Sequence, residues 1–97
     1  MNKTELIELL YSVIDDYNSR QRKSKRLIKS LGTVLYGENG LLDSLGFIDF
    51  IVSTEALINE TYNISIILAD ENAMNQNDNP FETVESLLHY ILDLNIS

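Results

Sequence analysis

The sequence contains no cysteine and a single histidine, and both scarcities restrict its chemistry. Without cysteine there is no disulfide and no cysteine-based metal site. The polypeptide also has no thiol of its own, so thioester chemistry would need a thiol from a prosthetic group. The one histidine, His89, falls inside a predicted helix, which favours a polar surface role. We therefore expect no metal site of the protein's own built from cysteine or histidine.

Long apolar runs are also missing. No segment approaches the roughly 18 apolar residues of a membrane span, and the first residues lack the basic-then-apolar pattern of a secretory signal. We expect a cytoplasmic monomer with no membrane span. The chain has 97 residues, of which 44% are hydrophobic. This length predicts a single domain, residues 1–97, around one core.

Positive charge is scarce and concentrated. The net charge is −8, and residues 30–97 contain 11 Asp and Glu but no Lys or Arg. Nucleic-acid affinity depends mainly on phosphate neutralisation, so we expect no nucleic-acid partner. The acidic surface either suits a partner with a basic patch or only aids solubility. Six of the seven basic residues lie close together: Arg20, Arg22, Lys23, Lys25, Arg26 and Lys29.

The role of this basic cluster, residues 20–29, is left open by the sequence. It contacts a partner, an acidic membrane surface or the protein's own acidic faces, or it is simply a solvated charged loop.

Apolar spacing predicts a helix near each end of the chain. Residues 3–17 carry apolar side chains three and four apart, and Asn2 followed by Glu5 fits a capping box. The last helix is predicted to begin with Asn79 as its cap and Pro80 in its first turn. The predicted core residues are Leu6, Leu10, Val13, Ile14 and Tyr17 in the first helix, and Val84, Leu87, Leu88, Ile91 and Leu92 in the last.

A further helix, predicted over residues 44–61, is apolar around much of its circumference. Four residues share one predicted core face, and Phe47, Ile51 and Ile58 widen it. Such a helix either lies at the centre of a bundle or leaves part of its surface for a ligand or partner. The four residues of the predicted core face are Leu45, Ile48, Val52 and Ala56.

The connecting segments complete an all-α prediction. Residues 18–43 form a long connection whose apolar side chains should lie against the bundle, with a turn at Asn39-Gly40. Residues 63–68 are predicted to be extended, and residues 69–74 to form a short helix. The expected fold is thus a bundle of three substantial helices and one short helix.

The segment Gly40-Leu41-Leu42-Asp43-Ser44-Leu45-Gly46 carries the chemical prediction. At the first position of a helix, unpaired backbone N–H groups and the helix dipole stabilise a phosphodiester attached to a serine such as Ser44. Asp43 beside it would help to hold a metal ion or to orient the hydroxyl during phosphate transfer. The simpler interpretation is that Asp43 and Ser44 are ordinary helix caps.

With this motif the chain resembles the acyl and peptidyl carrier proteins, whose modified serine lies in an Asp-Ser-Leu-type motif at the start of the second of four helices. Residues 35–45 resemble the approach to that motif in free-standing carriers, and Gly-Leu-Leu-Asp-Ser is similar to carriers of the D-alanyl type. Residues 80–84, Pro-Phe-Glu-Thr-Val, resemble the approach to the family's last helix, which often begins with Thr-Val. Residues 64–74 resemble its short third-helix region.

The resemblance implies an acyl-carrier-protein-like four-helix bundle with a long first loop, and a function without catalysis. Ser44 would receive 4′-phosphopantetheine from coenzyme A through a separate phosphopantetheinyl transferase, with Asp43 and Leu45 as its neighbours in the motif. The arm would carry an acyl or aminoacyl group as a thioester between loading enzymes and acyl-transfer enzymes.

The resemblance also implies that partner enzymes bind the second helix, where Ile48, Asp49 and Glu55 are the predicted contacts. This helix has fewer acidic residues than that of the fatty-acid-synthesis carrier, which indicates dedicated partners in a specialised biosynthetic pathway. The cargo stays open among a fatty acyl group, a short acyl group and an amino acid. The alternative is a small acidic helical protein-interaction module without a prosthetic group.

Overall fold

The computed structural model describes residues 2–36, 40, 42–68 and 80–96, with backbone only for Ser44, Asn95 and Ile96. These residues form three α-helices and no β-strand, which confirms the all-α prediction for this part of the chain. None of these helices is long and apolar enough to cross a bilayer. The short helix predicted at 69–74 lies outside the described residues. The helices are α1 (Lys3–Ser19), α2 (Ser44–Tyr62) and α3 (Val84–Ile96).

Helix α1 forms as its sequence predicts. The Glu5 N–H donates to Asn2 Oδ1 at 2.7 Å, so Asn2 caps the helix. A single apolar stripe faces inward, and α1 packs against both α2 and α3. The predicted core residues of α1, namely Leu6, Leu10, Val13, Ile14 and Tyr17, are all buried.

Helix α3 begins later than predicted, at Val84 rather than near Pro80; Asn79, the predicted cap, lies outside the described residues. Thr83 caps the helix instead. The Ser86 N–H donates to Thr83 Oγ1 at 3.1 Å, and the Thr83 N–H donates to Ser86 Oγ at 3.0 Å. This reciprocal pair satisfies two of the donors that a helix start leaves unpaired.

Tertiary hydrogen bonds explain why residues 80–83 stay outside α3. The Leu35 N–H donates to the Glu82 carbonyl at 2.7 Å, and the Val84 N–H donates to the Thr33 carbonyl at 3.1 Å. An isolated antiparallel bridge joins Val34 to Thr83. The long first connection is thereby fastened to the start of α3.

The prediction for helix α2 is confirmed only in part: Phe47, Ile51 and Ile58 are buried, but the four residues at the centre of the predicted core face are exposed. Leu45 is 80% exposed, and Ile48 and Val52 are each 47% exposed. Successive helical residues are about 100° apart, so these side chains lie opposite a second apolar stripe that contains Phe47 and Phe50. The second stripe forms the core because its two aromatic side chains bury more apolar surface. The core side chains of α2 are Phe47, Phe50, Ile51 and Ile58.

The long first connection packs against the bundle, as expected, but Ile28 does not. Leu27, Leu35 and Leu42 are buried, whereas Ile28 is 75% exposed. The Asn18 side chain fixes Leu27 by donating to its carbonyl and accepting from its N–H, both at 2.8 Å. Between α1 and Leu27 the chain forms one 3₁₀ turn, Lys23–Lys25.

The link after α2 was predicted to be extended over residues 63–68. It begins with Asn63 in the left-handed conformation, and residues 64–68 form no regular secondary structure. Two α2 side chains hold this link. The Ile66 N–H donates to Asn59 Oδ1 at 2.8 Å, and Asn59 Nδ2 donates to the Ile66 carbonyl at 3.1 Å. The Leu68 N–H donates to Glu55 Oε2 at 2.6 Å. Glu55, a predicted partner contact, therefore has a structural role as well.

Gly40 lies where a side chain does not fit. A Cβ there would stand 2.8 Å from the Leu35 carbonyl oxygen and 2.8 Å from Tyr36 Cα. We expect Gly40→Ala to lower the free energy of unfolding by about 1–3 kcal/mol, because backbone must move to admit the methyl group. Urea denaturation followed by circular dichroism measures the change.

Gly32→Ala is the matched control, because its Cβ would meet nothing closer than Ser30 Oγ at 3.8 Å. We expect it to change the free energy of unfolding by less than about 1 kcal/mol. Equal stabilities of the two variants would contradict the close approach at Gly40.

Candidate functional site

The first turn of α2 is set by Asp43. Asp43 is the N-cap in extended conformation, and its Oδ1 accepts the Gly46 N–H at 2.7 Å. Its carbonyl accepts the Phe47 N–H at 2.8 Å. Ser44 is consequently the first helical residue, the position at which a helix favours a phosphate group.

The inner side of this turn is anchored by aromatic contacts. The Phe47 ring stacks on Tyr36 with 4.4 Å between centroids and contacts Phe81 edge-on at 5.7 Å. Leu42, just before the cap, is also buried. Because Phe47 points into the core, Leu45 two residues earlier points outward.

A pocket of about 370 Å³ lies beside the start of α2. Helix α2 contributes one wall, and the end of α1 and the 3₁₀ turn contribute the other. Near this pocket, burial raises the pKa of the Tyr17 phenol, and the nearby Asp43 carboxylate raises it further. The lining residues are Tyr17, Gln21, Lys25, Asp43, Leu45, Gly46 and Asp49.

The sequence did not predict that Tyr17 and Lys25 line this pocket. Tyr17 counted only as a core residue of α1, and Lys25 only as part of the basic cluster. No local pattern indicates their approach to Asp43, because it depends on how α1 packs against α2.

The three predicted partner contacts differ in their surroundings. Ile48 is exposed on the outer face of α2. Asp49 Oδ2 lies 3.3 Å from Arg20 Nη2, in a half-exposed ion pair. Glu55 accepts the Leu68 N–H. Both carboxylates thus already have partners within the chain.

An apolar ridge runs along the outer face of α2, starting next to Ser44. We define it as Leu45, Ile48 and Val52, which are one helical turn apart and exposed. The described residues contain no group of three or more His, Asp or Glu side chains that could hold a metal ion. The site therefore consists of a capped helix start, a polar pocket and an apolar ridge.

Comparison with protein-family models, with curated proteins and with solved structures yields no match for this chain.

The contribution of the Asp43 cap to the free energy of unfolding can be measured. We expect Asp43→Ala to lower the free energy of unfolding by about 1 kcal/mol, because the Gly46 N–H loses its acceptor. Asp43→Asn is the control, since its side-chain oxygen can still accept that hydrogen bond. Urea denaturation of both variants provides the comparison, and an Asp43→Ala variant as stable as Asp43→Asn would contradict the role of the cap.

The raised pKa of Tyr17 predicts a loss of stability in alkali. The folded state holds the phenol proton above the ordinary pKa of 10.0, so this stabilisation is complete below pH 10 and is lost as the pH rises through the folded pKa. Tyr62 contributes in the same direction through burial and Glu5.

We expect the free energy of unfolding to fall as the pH rises above the ordinary tyrosine pKa of 10.0, and to fall less steeply in Tyr17→Phe. Urea denaturation at a series of pH values measures it. Coincident pH profiles for Tyr17→Phe and the parent protein would contradict the pKa shift.

Proposed function

We propose that this chain is a carrier protein of the acyl and peptidyl carrier type, which holds its cargo as a thioester on a 4′-phosphopantetheine arm attached to Ser44. The observation that carries the proposal is the position of Ser44 as the first residue of a 19-residue helix. The apolar ridge begins at the next residue, Leu45, and continues along the exposed face of that helix.

The helix start suits an attached phosphodiester. Helix geometry gives the first N–H groups no acceptor within the helix, and Asp43 occupies only the Gly46 N–H. The N–H groups of Ser44 and Leu45 would then be available to a phosphate attached to Ser44. Lys25 adds a cation to the adjoining pocket, where the charge of Asp49 is offset by Arg20.

The prosthetic group would supply the thiol that a chain without cysteine lacks. The chain's own part is to fix the attachment point and to present a recognition surface. Phe47 fixes the orientation of the first turn from inside, and the apolar ridge presents Leu45 and Ile48 outside. Partner enzymes that load and unload the arm would contact this ridge.

A second candidate is a protein-interaction module without a prosthetic group. The observation in its favour is that Asp43 caps α2 as a purely structural cap would. The apolar ridge would then be the binding surface by itself. The two functions differ in whether Ser44 becomes modified.

Incubation with coenzyme A, magnesium and a broad-specificity phosphopantetheinyl transferase tests the proposal. We expect intact-mass spectrometry to show one added 4′-phosphopantetheine group on the full chain. The addition should disappear in Ser44→Ala, because the acceptor hydroxyl is gone.

Ser65→Ala is the matched control, since Ser65 is an exposed serine on the link after α2. It should be modified as fully as the parent chain. An unchanged mass under conditions that load a known carrier protein would reject the carrier function and favour the interaction module.

A further inference from the structure

The charges near Ser44 that are available to a partner differ from those that the sequence suggests. The chain as a whole is acidic, with a net charge of −8. On α2 and at its cap, however, three carboxylates already have partners within the chain, and Arg20 offsets the charge of one of them, Asp49. Asp43 accepts the Gly46 N–H at 2.7 Å, Asp49 pairs with Arg20 at 3.3 Å, and Glu55 accepts the Leu68 N–H at 2.6 Å.

The basic cluster is only partly neutralised within the chain. Arg20 pairs with Asp16 and Asp49, and Lys29 pairs with Asp15. Arg26 Nε donates to two backbone carbonyls, those of Asn18 and Gln21. Half of the cluster is thus held against the bundle.

The remaining three cations, which we call the basic turn, are Arg22, Lys23 and Lys25. Their side chains are exposed, and none forms an ion pair with any residue in the described part of the chain. Lys25 lines the same pocket as Leu45. Lys25 therefore brings a positive charge close to Leu45, the first residue of the apolar ridge, and Arg22 and Lys23 are within three residues of Lys25 in the chain.

We propose that the basic turn and the apolar ridge form one docking surface for a protein partner that presents acidic side chains beside an apolar contact. The inference rests on the proposed carrier function, because an arm on Ser44 would bring partners to this end of the molecule. Complementary charge selects the partner and raises its association rate. Apolar contact at Leu45 stabilises the complex once it has formed.

An anionic membrane fits this surface less well than a protein does. Basic segments that bind acidic lipids typically carry about 4–8 Lys and Arg near the surface. In the basic cluster, Arg20 and Lys29 are paired with carboxylates of the chain, which leaves four cations, at the lower limit of that range. The net charge of −8 also opposes adsorption to an extended negative surface. A protein with a local acidic patch avoids most of that repulsion, because exposed charges beyond about 8–10 Å are screened.

Titration of the ¹⁵N-labelled full chain with two designed amphipathic helical peptides tests the inference. Both peptides carry the same leucine face, and their polar face is glutamate in one and lysine in the other. We expect the glutamate peptide to bind more tightly and to shift amide signals at residues 20–26 and 43–52. Its affinity should fall as salt is raised, because the attraction is between exposed charges.

The variant Lys23→Glu/Lys25→Glu should weaken binding of the glutamate peptide about tenfold, and Leu45→Ser should weaken it independently of salt. The matched controls are Lys3→Glu, which reverses an exposed cation outside the cluster, and Ile67→Ser, which removes an exposed apolar side chain on the link. Both controls should bind as the parent chain does. Far-UV circular dichroism verifies that each variant is folded.

Three results would overturn the inference: tighter binding of the lysine peptide, an unchanged affinity of Lys23→Glu/Lys25→Glu, or co-sedimentation with phosphatidylserine-containing vesicles that the same double variant abolishes. The peptide titration does not depend on modification of Ser44. A carrier that is loaded by the transferase but does not prefer the glutamate peptide would retain the proposed function and lose this inference.

Discussion

The packing of Phe47 between Tyr36 and Phe81 determines how α2 is rotated. An apolar side chain gains most when it is fully removed from water, and Phe47 is nearly completely buried. With that ring inside, helix geometry places Leu45 and Ile48 outside. The orientation of the outer surface of α2 is thus a consequence of what its inner surface buries.

Intramolecular pairing decides which charges the molecule offers. Exposed ion pairs such as Arg20–Asp49 contribute less than about 1 kcal/mol to stability. Their effect on the local field is more important here, because Arg20 offsets the charge of Asp49 close to Ser44. A chain that is acidic in composition thereby presents a basic turn at that point.

Local sequence signals predicted α1 and the start of α2 because each depends on near neighbours. Asn2 caps through Glu5, and Asp43 caps through Gly46, three residues away in both cases. The resemblance to carrier proteins placed Ser44 at a helix start for the same local reason. Helix α1 has a single apolar stripe, so its buried face was unambiguous.

Where the local sequence was ambiguous, tertiary contacts determined which face of a helix is buried and where a helix begins. Helix α2 has two apolar stripes on opposite sides, and periodicity alone does not rank them. The start of α3 is set by hydrogen bonds to residues 33–35, far away in sequence. Lys25 and Tyr17 reach the pocket through the packing of α1 on α2, which no residue pattern within either segment indicates.

The rotation of α2 about its own axis is fixed near both ends of the helix. Near the start, Phe47 fixes the rotation by packing in the core. Near the end, Asn59 fixes it through two hydrogen bonds, one to the N–H and one to the carbonyl of Ile66. Insertion or deletion of one residue between these two side chains would rotate one anchor by about 100° relative to the other. Side chains on the outer face can therefore be replaced without disturbing either anchor, whereas a change in the number of residues between Phe47 and Asn59 would disturb one of them.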